Sequence, residues 1–203
     1  MPLKFANNQS LTATTALPSA VPTDNLILIS TQTASNSANI SFTTGLDSTY
    51  DFYEFHFINM KPITDDAEFE FQVSTNGGSS YGVNITSTFF RAYHDEADTA
   101  TTLSYTTASD LAQSTSFQKL FSNIGNGADE SGSGSLQLFN PSSTTYVKHF
   151  IGVSNGYYGG DYTINNYVAG YVNSTSAINA IRFQFTPNNI SDGIIKMYGV
   201  KKS

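Results

Sequence analysis

Apolar and polar residues alternate with a period of two along most of this chain, and the pattern is sharpest between Tyr50 and Ser74. Tyr50, Phe52, Glu54, His56 and Ile58 fall on one side of an extended chain, and Asp51, Tyr53, Phe55 and Phe57 on the other. Further on, Phe69, Phe71 and Val73 oppose Glu68, Glu70 and Gln72. Successive side chains of a strand point to opposite faces, so this period predicts two strands rather than helices. The intervening MKPITDD carries Pro62 and the pair Asp65–Asp66, which predicts a solvated bend. Aromatic residues on both faces place the first strand centrally in a sheet. The second is expected to keep Glu68, Glu70 and Gln72 on a wet face.

The same alternation predicts short strands over 26–30, 38–43, 80–86, 88–93, 103–106, 135–140, 144–153, 162–173, 178–185 and 194–200. The segment 162–173 slips out of strict register, which a bulge near Asn165–Asn166 would explain. Asn76-Gly77-Gly78 predicts a hairpin turn, because these residues tolerate positive φ. Residues 108–124 suit either a short helical turn capped by Ser109 or Asp110, or an irregular loop anchored by Leu111, Phe117, Leu120, Phe121 and Ile124. Residues 125–135, GNGADESGSGS, predict a flexible glycine-rich excursion, and NGYYGGD at 155–161 a second glycine turn. Helical periodicity and fixed-length repeats are missing, which excludes βαβ units, solenoids and propellers. The expectation is an all-β fold: an antiparallel two-sheet sandwich of jelly-roll type over 25–203, with the last strand beside the first ones. Residues 1–24, rich in Asn, Ser, Thr, Ala and Pro, read as an extended arm. Leu3, Phe5, Leu11, Leu17 and Val21 would anchor it on a neighbouring subunit; the plainer reading is a frayed terminus.

Composition narrows the function. The chain has 203 residues, enough for one sandwich, and 39% of them are hydrophobic, too many for a disordered chain. Charged residues make up 12%, about half the usual share, which suits a subunit held in an assembly. The net charge of −7 and the scattered lysines, with Arg91 and Arg182 the only guanidinium groups, argue against a nucleic-acid partner. No apolar run is long enough to span a membrane, and the N-terminus lacks the continuous apolar core of a secretion signal. With no cysteine, stability rests on the core or on assembly.

Enzyme motifs are missing: there is no HExxH, no GxSxG elbow and no P-loop. His56 and His149 read as strand residues lining a sheet. Two loops carry candidate chemistry. His94-Asp95-Glu96 with Asp98 offers hard oxygen ligands, so Asp95, Glu96 and Asp98 form a possible weak calcium site; it lacks the glycine and distal glutamate of an EF-hand, and a solvated surface explains it equally. Asn155, Tyr157, Tyr158 and Asp161 join two adjacent tyrosines to amide and carboxylate groups. Rings stack on the C–H patches of sugars and amides bond hydroxyls, so this loop is a possible glycan or receptor contact; subunit packing is the alternative.

Several segments carry a family likeness. TASNSANISFTTGLDSTYDFYEFHFINMKP (33–62), AYHDEAD (92–98), SGSLQLFNPSSTTYVKHFI (133–151), YVAGYVNSTSAINAIRFQF (167–185) and DGIIKMYGV (192–200) resemble segments of structural proteins of tailed bacteriophages, marine phages especially. FANNQSLTATTALPSAV (5–21) looks like the opening of tail-associated virion proteins. The resemblance implies a non-enzymatic, multimeric virion component without a cofactor, made in the host cytoplasm. It would decorate the capsid or belong to the tail or fibre. The partners implied are other virion proteins and further copies of itself, with a host surface glycan as the alternative.

Overall fold

The computed structural model describes residues 26–200. Leu3, Phe5, Leu11, Leu17 and Val21 of the expected docking arm lie outside the described residues. Twelve strands follow one another: β1 (Leu26–Ser37), β2 (Ile40–Phe42), β3 (Phe52–Pro62), β4 (Ala67–Ser74), β5 (Ile85–Asp95), β6 (Thr101–Tyr105), β7 (Gln118–Ile124), β8 (Gly132–Phe139), β9 (Lys148–Tyr158), β10 (Tyr162–Val172), β11 (Ala180–Thr186) and β12 (Ile190–Val200). No helix occurs among the described residues. The strands form an eight-stranded sheet, β1-β12-β3-β8-β9-β10-β5-β6, and a four-stranded sheet, β2-β11-β4-β7. Neighbouring strands run antiparallel throughout. Setting aside the hairpins β5–β6 and β9–β10 leaves β1-β12-β3-β8 over β2-β11-β4-β7, the strand order of a jelly roll. The two hairpins are insertions, and both extend the larger sheet from its β8 edge. The last strand pairs with β1 and β3, as the sequence predicts.

The core is aromatic. Tyr53, Phe55 and Phe57 of β3 are buried, and their neighbours Phe52, Glu54, His56 and Ile58 are half-buried on the other face. Phe183 of β11 stands at the centre, with ring centroids 5.2 Å from Phe57, 5.4 Å from Phe55, 5.9 Å from Phe69 and 6.3 Å from Phe42. The pairs with Phe57 and Phe42 are edge to face and that with Phe69 is stacked; aromatic pairs of this kind add about 0.5–1.5 kcal/mol each beyond the area they bury.

The polar face of β4 is not wet. Gln72 is fully buried and Glu70 nearly so. Gln72 Nε2 donates to the carbonyls of Val83, Thr115 and Ser116 at 3.0–3.2 Å, and Glu70 Oε1 accepts from Gln184 Nε2 at 2.8 Å and Thr186 Oγ1 at 2.5 Å. β4 lies between β11 and β7, and the connections 75–84 and 106–117 fold over its outer side. Buried side-chain amides and carboxylates need such partners, and here the backbone of the covering loops supplies most of them.

Other expectations shift as well. The predicted strands 80–86 and 88–93 give way to a single β5 that starts at Ile85. The turn at Asn76-Gly77-Gly78 carries positive φ at both glycines, yet it crosses from one sheet to the other and closes no β4–β5 hairpin. Residues 108–124 divide into a loop and β7. Strand β10 pairs without a slip against both β5 and β9, so no bulge occurs at Asn165–Asn166. The glycine-rich segment 125–135 is a tethered loop that enters β8 at Gly132: Gly125 N donates to Tyr157 O at 3.0 Å, Lys61 Nζ to Gly127 O at 2.5 Å and Asn126 Nδ2 to Ile63 O at 2.8 Å. Close packing, not looseness, demands some of its glycines. A Cβ on Gly132 would lie 2.6 Å from the Phe121 ring, and one on Gly156 opposite it 1.9 Å from Ile124 Cδ1.

Candidate functional site

The candidate site is built where the inserted hairpins carry the large sheet past the small one. Strand β7 is the edge of the small sheet, and it leans onto β9 and β10. Ser154 Oγ donates to Leu120 O at 2.7 Å, Ser122 Oγ to Asn166 Oδ1 at 2.7 Å, and Asn166 Nδ2 to Ser154 Oγ at 3.2 Å. All three side chains are buried. Beyond this seam, the loop 106–117 covers the first half of β5: Ser87 N donates to Leu111 O and Leu111 N to Ser87 Oγ, both at 2.9 Å. Phe89 is the last core residue of β5. Past it the inner face of the large sheet is open.

There a groove of about 520 Å³ lies between β7 and the ends of β5, β9 and β10, lined by Arg91, Tyr93, Asn123, Tyr158, Gly160, Tyr162 and Ile164. Strand register assembles it. Arg91 pairs with Asn166 and Tyr93 with Ile164 across β5–β10, and Tyr158 pairs with Tyr162 across the β9–β10 turn. The Tyr162 ring lies 5.8 Å from Tyr158 and 5.5 Å, edge to face, from Tyr93. Arg91 sits 6.0 Å from the centroid of Tyr93. Its Nη1 donates to Asn123 Oδ1 at 2.9 Å, with Ser122 Oγ at 3.5 Å. Its Nε is buried and has no acceptor among the described residues. No carboxylate lines this groove.

The two adjacent tyrosines singled out in the sequence therefore do not share one platform. Tyr158 faces inward to the groove. Tyr157 faces outward, opposite Thr163, into a second depression of about 440 Å³ that also takes in His94, Glu96, Asp129 and Asn155. Neighbours on a strand point to opposite faces, and β9 runs through Tyr158 instead of turning at Asn155. The turn is Gly159–Asp161, with Asp161 at φ +62°. Tyr157 OH donates to Asp161 Oδ1 at 3.1 Å. That bond, some burial and the nearby charges of Asp161 and Glu96 push the Tyr157 phenol up to about 12. Asn155 Nδ2 donates to Thr163 Oγ1 at 2.8 Å and Asn165 Oδ1 at 2.9 Å, so its amide braces the hairpin.

Asp95 and Asp98 of the expected calcium loop make other contacts, and Glu96 is bonded through its backbone. The Asp95 carboxylate accepts from Thr99 N at 2.9 Å, Ala100 N at 2.8 Å and Thr99 Oγ1, which closes the β5–β6 turn. These bonds hold its pKa below the usual carboxylate value. Asp98 meets His94 Nε2 at 3.2 Å, and Glu96 joins the β9–β10 turn through its backbone N, which donates to Asp161 O at 2.9 Å. Among the described residues no three Asp, Glu, His or Cys side chains gather where a metal ion could sit.

The same hairpins carry an apolar band on the outer face of the large sheet. Tyr105, Phe90, Tyr167 and Val153 form one cross-strand row, and Leu103 and Ile151 lie in the adjoining rows. Phe90 and Tyr167 stack at 4.9 Å. Leu103 is 72% exposed, Tyr105 53%, Ile151 45%, Phe90 41% and Val153 40%. No Asp, Glu, Lys or Arg interrupts these rows on β6, β5, β10 and β9.

Sequence reasoning missed Arg91, Tyr93, Asn123 and Tyr162. The alternation of 89–95 already puts Arg91 and Tyr93 on one face, but the approach of β7 is a tertiary fact. No protein-family model, curated protein or solved structure matches the chain.

Proposed function

We propose that the protein is a non-enzymatic structural subunit of a phage virion, on the capsid surface or in the tail or fibre, which self-associates and docks through the outer face of its inserted hairpins. The observation that carries this reading is the uncharged apolar band of Phe90, Leu103, Tyr105, Ile151 and Val153. Single exposed apolar residues are ordinary, whereas a contiguous run of them marks an interaction surface. At its centre the exposed Phe90 ring stacks on the half-buried Tyr167, which suits the middle of an interface. Low charge content and the likeness of several segments to phage structural proteins support the same role. The band fits a second copy of the chain, since an uncharged patch meets itself without like-charge repulsion. The test is sedimentation of the wild type beside Phe90→Glu and Leu103→Glu. The reading expects an oligomer that either substitution dissociates while the circular dichroism of the fold is kept. A wild type monomeric at all concentrations, with the variants unchanged, counts against docking through this face.

The groove favours a second reading, recognition of a surface glycan. Three tyrosines, an amide and a guanidinium converge in an open trough at the tip of the overhang. Such a trough offers ring faces for sugar stacking and donors for hydroxyl groups. A virion surface subunit could use both faces of one overhang, the outer for assembly and the inner for the host. Binding of a panel of oligosaccharides, with Tyr162→Ala as the control, tests it.

A further inference from the structure

We infer that the groove between β7 and the inserted hairpins binds an acidic sugar, with Arg91 receiving its carboxylate. This rests on the glycan reading of the groove and adds the class of ligand. The first ground is charge placement. The chain carries a net charge of −7, yet the groove holds one cation and no carboxylate. Among the described residues Arg91 forms no ion pair; Asp66 stands one residue away, its carboxylate accepting from Asn123 Nδ2 outside the groove lining, while Asp95 is engaged in its own turn and Asp161 with Tyr157.

The second ground is the state of the guanidinium. Its Nη1 is taken by Asn123 and Ser122, which fixes the plane of the group. Nε is buried without an acceptor, and Nη2 has none among the described residues while remaining open to solvent. An orphaned buried donor is rare in a folded protein and calls for a partner. Nε and Nη2 lie along one edge of the planar group, the edge that takes a carboxylate through two parallel bonds. Nε is closed to solvent in this conformation, so a carboxylate meets Nη2 first and gives Nε its missing acceptor only after a small shift of the Arg91 side chain. The third ground is the surroundings: Tyr158, Tyr162 and Tyr93 give a sugar ring aromatic surface next to that edge, and the Tyr hydroxyls give polar partners. A small free anion would need the guanidinium and not the rings, so rings and cation together select a carboxylate carried on a pyranose.

The experiment is calorimetric titration of the folded chain with trigalacturonate, with its methyl ester, which keeps the sugar but loses the charge, and with inorganic phosphate. The wild type should bind the acid at least about tenfold tighter than the ester, the usual worth of a charge-assisted hydrogen bond, and phosphate should bind more weakly than the acid. Arg91→Gln should bring acid and ester together, Arg91→Lys should recover only part of the preference, and Tyr162→Ala should weaken both sugars alike. Equal binding of acid and ester by the wild type overturns the inference while leaving a glycan groove. Phosphate binding as tight as the acid overturns the sugar part of it. No saturable binding of either sugar removes the glycan reading and the inference together. Should Arg91→Gln fail to fold, the wild-type comparison still decides.

Discussion

Gly156→Ala puts the seam between β7 and the overhang to the test. Gly156 lies on the inner face of β9, paired with Gly132 on one side and Ile164 on the other. Hydrogen-bonded strands on both sides keep its backbone from retreating. The new Cβ would sit 1.9 Å from Ile124 Cδ1, far inside the 3.4–4 Å of ordinary contact. Ile124 is fully buried, so its terminal methyl must turn within a filled core. Overpacking of this kind costs about 1–3 kcal/mol. The lower backbone entropy of alanine offsets about 0.5–1 kcal/mol of that, which at mid-range leaves a net loss of about 1 kcal/mol. Ile124→Val removes the clashing methyl and alone costs about 0.5–1.5 kcal/mol. In the double variant alanine occupies the space the methyl has vacated, so the two losses should fall short of their sum by about 1 kcal/mol or more. Urea unfolding of the four proteins measures this, with the midpoint moving and the slope unchanged. Strictly additive losses, or a Gly156→Ala variant as stable as the wild type, would refute the close approach of β7 to the large sheet.

Three further outcomes are expected. Phe183→Ala removes the ring around which Phe42, Phe55, Phe57 and Phe69 are arranged and should cost about 3–5 kcal/mol in urea unfolding. Tyr157 should ionise late: its folded pKa of about 12 lies above the ordinary 10.0, so its contribution to stability is present below pH 10 and is lost as the pH rises through 12. Ultraviolet titration should therefore show a late phenolate step that Tyr157→Phe deletes. Asp95 is shifted the other way. Its folded pKa lies below the ordinary 3.8, so its contribution is present above that value and disappears as the pH falls through the folded pKa. Asp95→Asn should lower stability at neutral pH and flatten the acid limb of the stability curve, read from thermal melts between pH 2 and 7.

The layered fold was legible because alternation reports directly which face of a strand is apolar. Tyr53, Phe55 and Phe57, and again Ile181, Phe183 and Phe185, sit in the core as the pattern predicts. Residue type could not report what covers a polar face. Glu70 and Gln72 look like surface residues, yet Gln72 is covered by the loops that carry Val83, Thr115 and Ser116, and Glu70 is held by Gln184 and Thr186 of β11. Glycine was the most misleading residue. At 125–135 and 155–161 it predicts freedom to turn, whereas Gly132 and Gly156 make room for Phe121 and Ile124. The same misreading put Tyr157 and Tyr158 in one loop and hid that a strand points them apart. Two of the three tyrosines of the trough, Tyr93 and Tyr162, become visible only with the pairing of β5, β10 and β9. Asn123 joined it through a strand from the other sheet. Asp95, Glu96 and Asp98 show the reverse case: close in sequence, they are drawn into a turn cap, a backbone contact and a histidine pair.

The position and copy number of the protein in intact particles, read by cryo-electron microscopy, bear most directly on the central proposal. The account predicts ordered copies on the capsid surface or at the tail, with the Phe90, Leu103 and Tyr105 face buried against another subunit and the Arg91 groove open to the outside. Particles without the protein, or copies whose hairpin face points into solvent while another surface makes every contact, would contradict it.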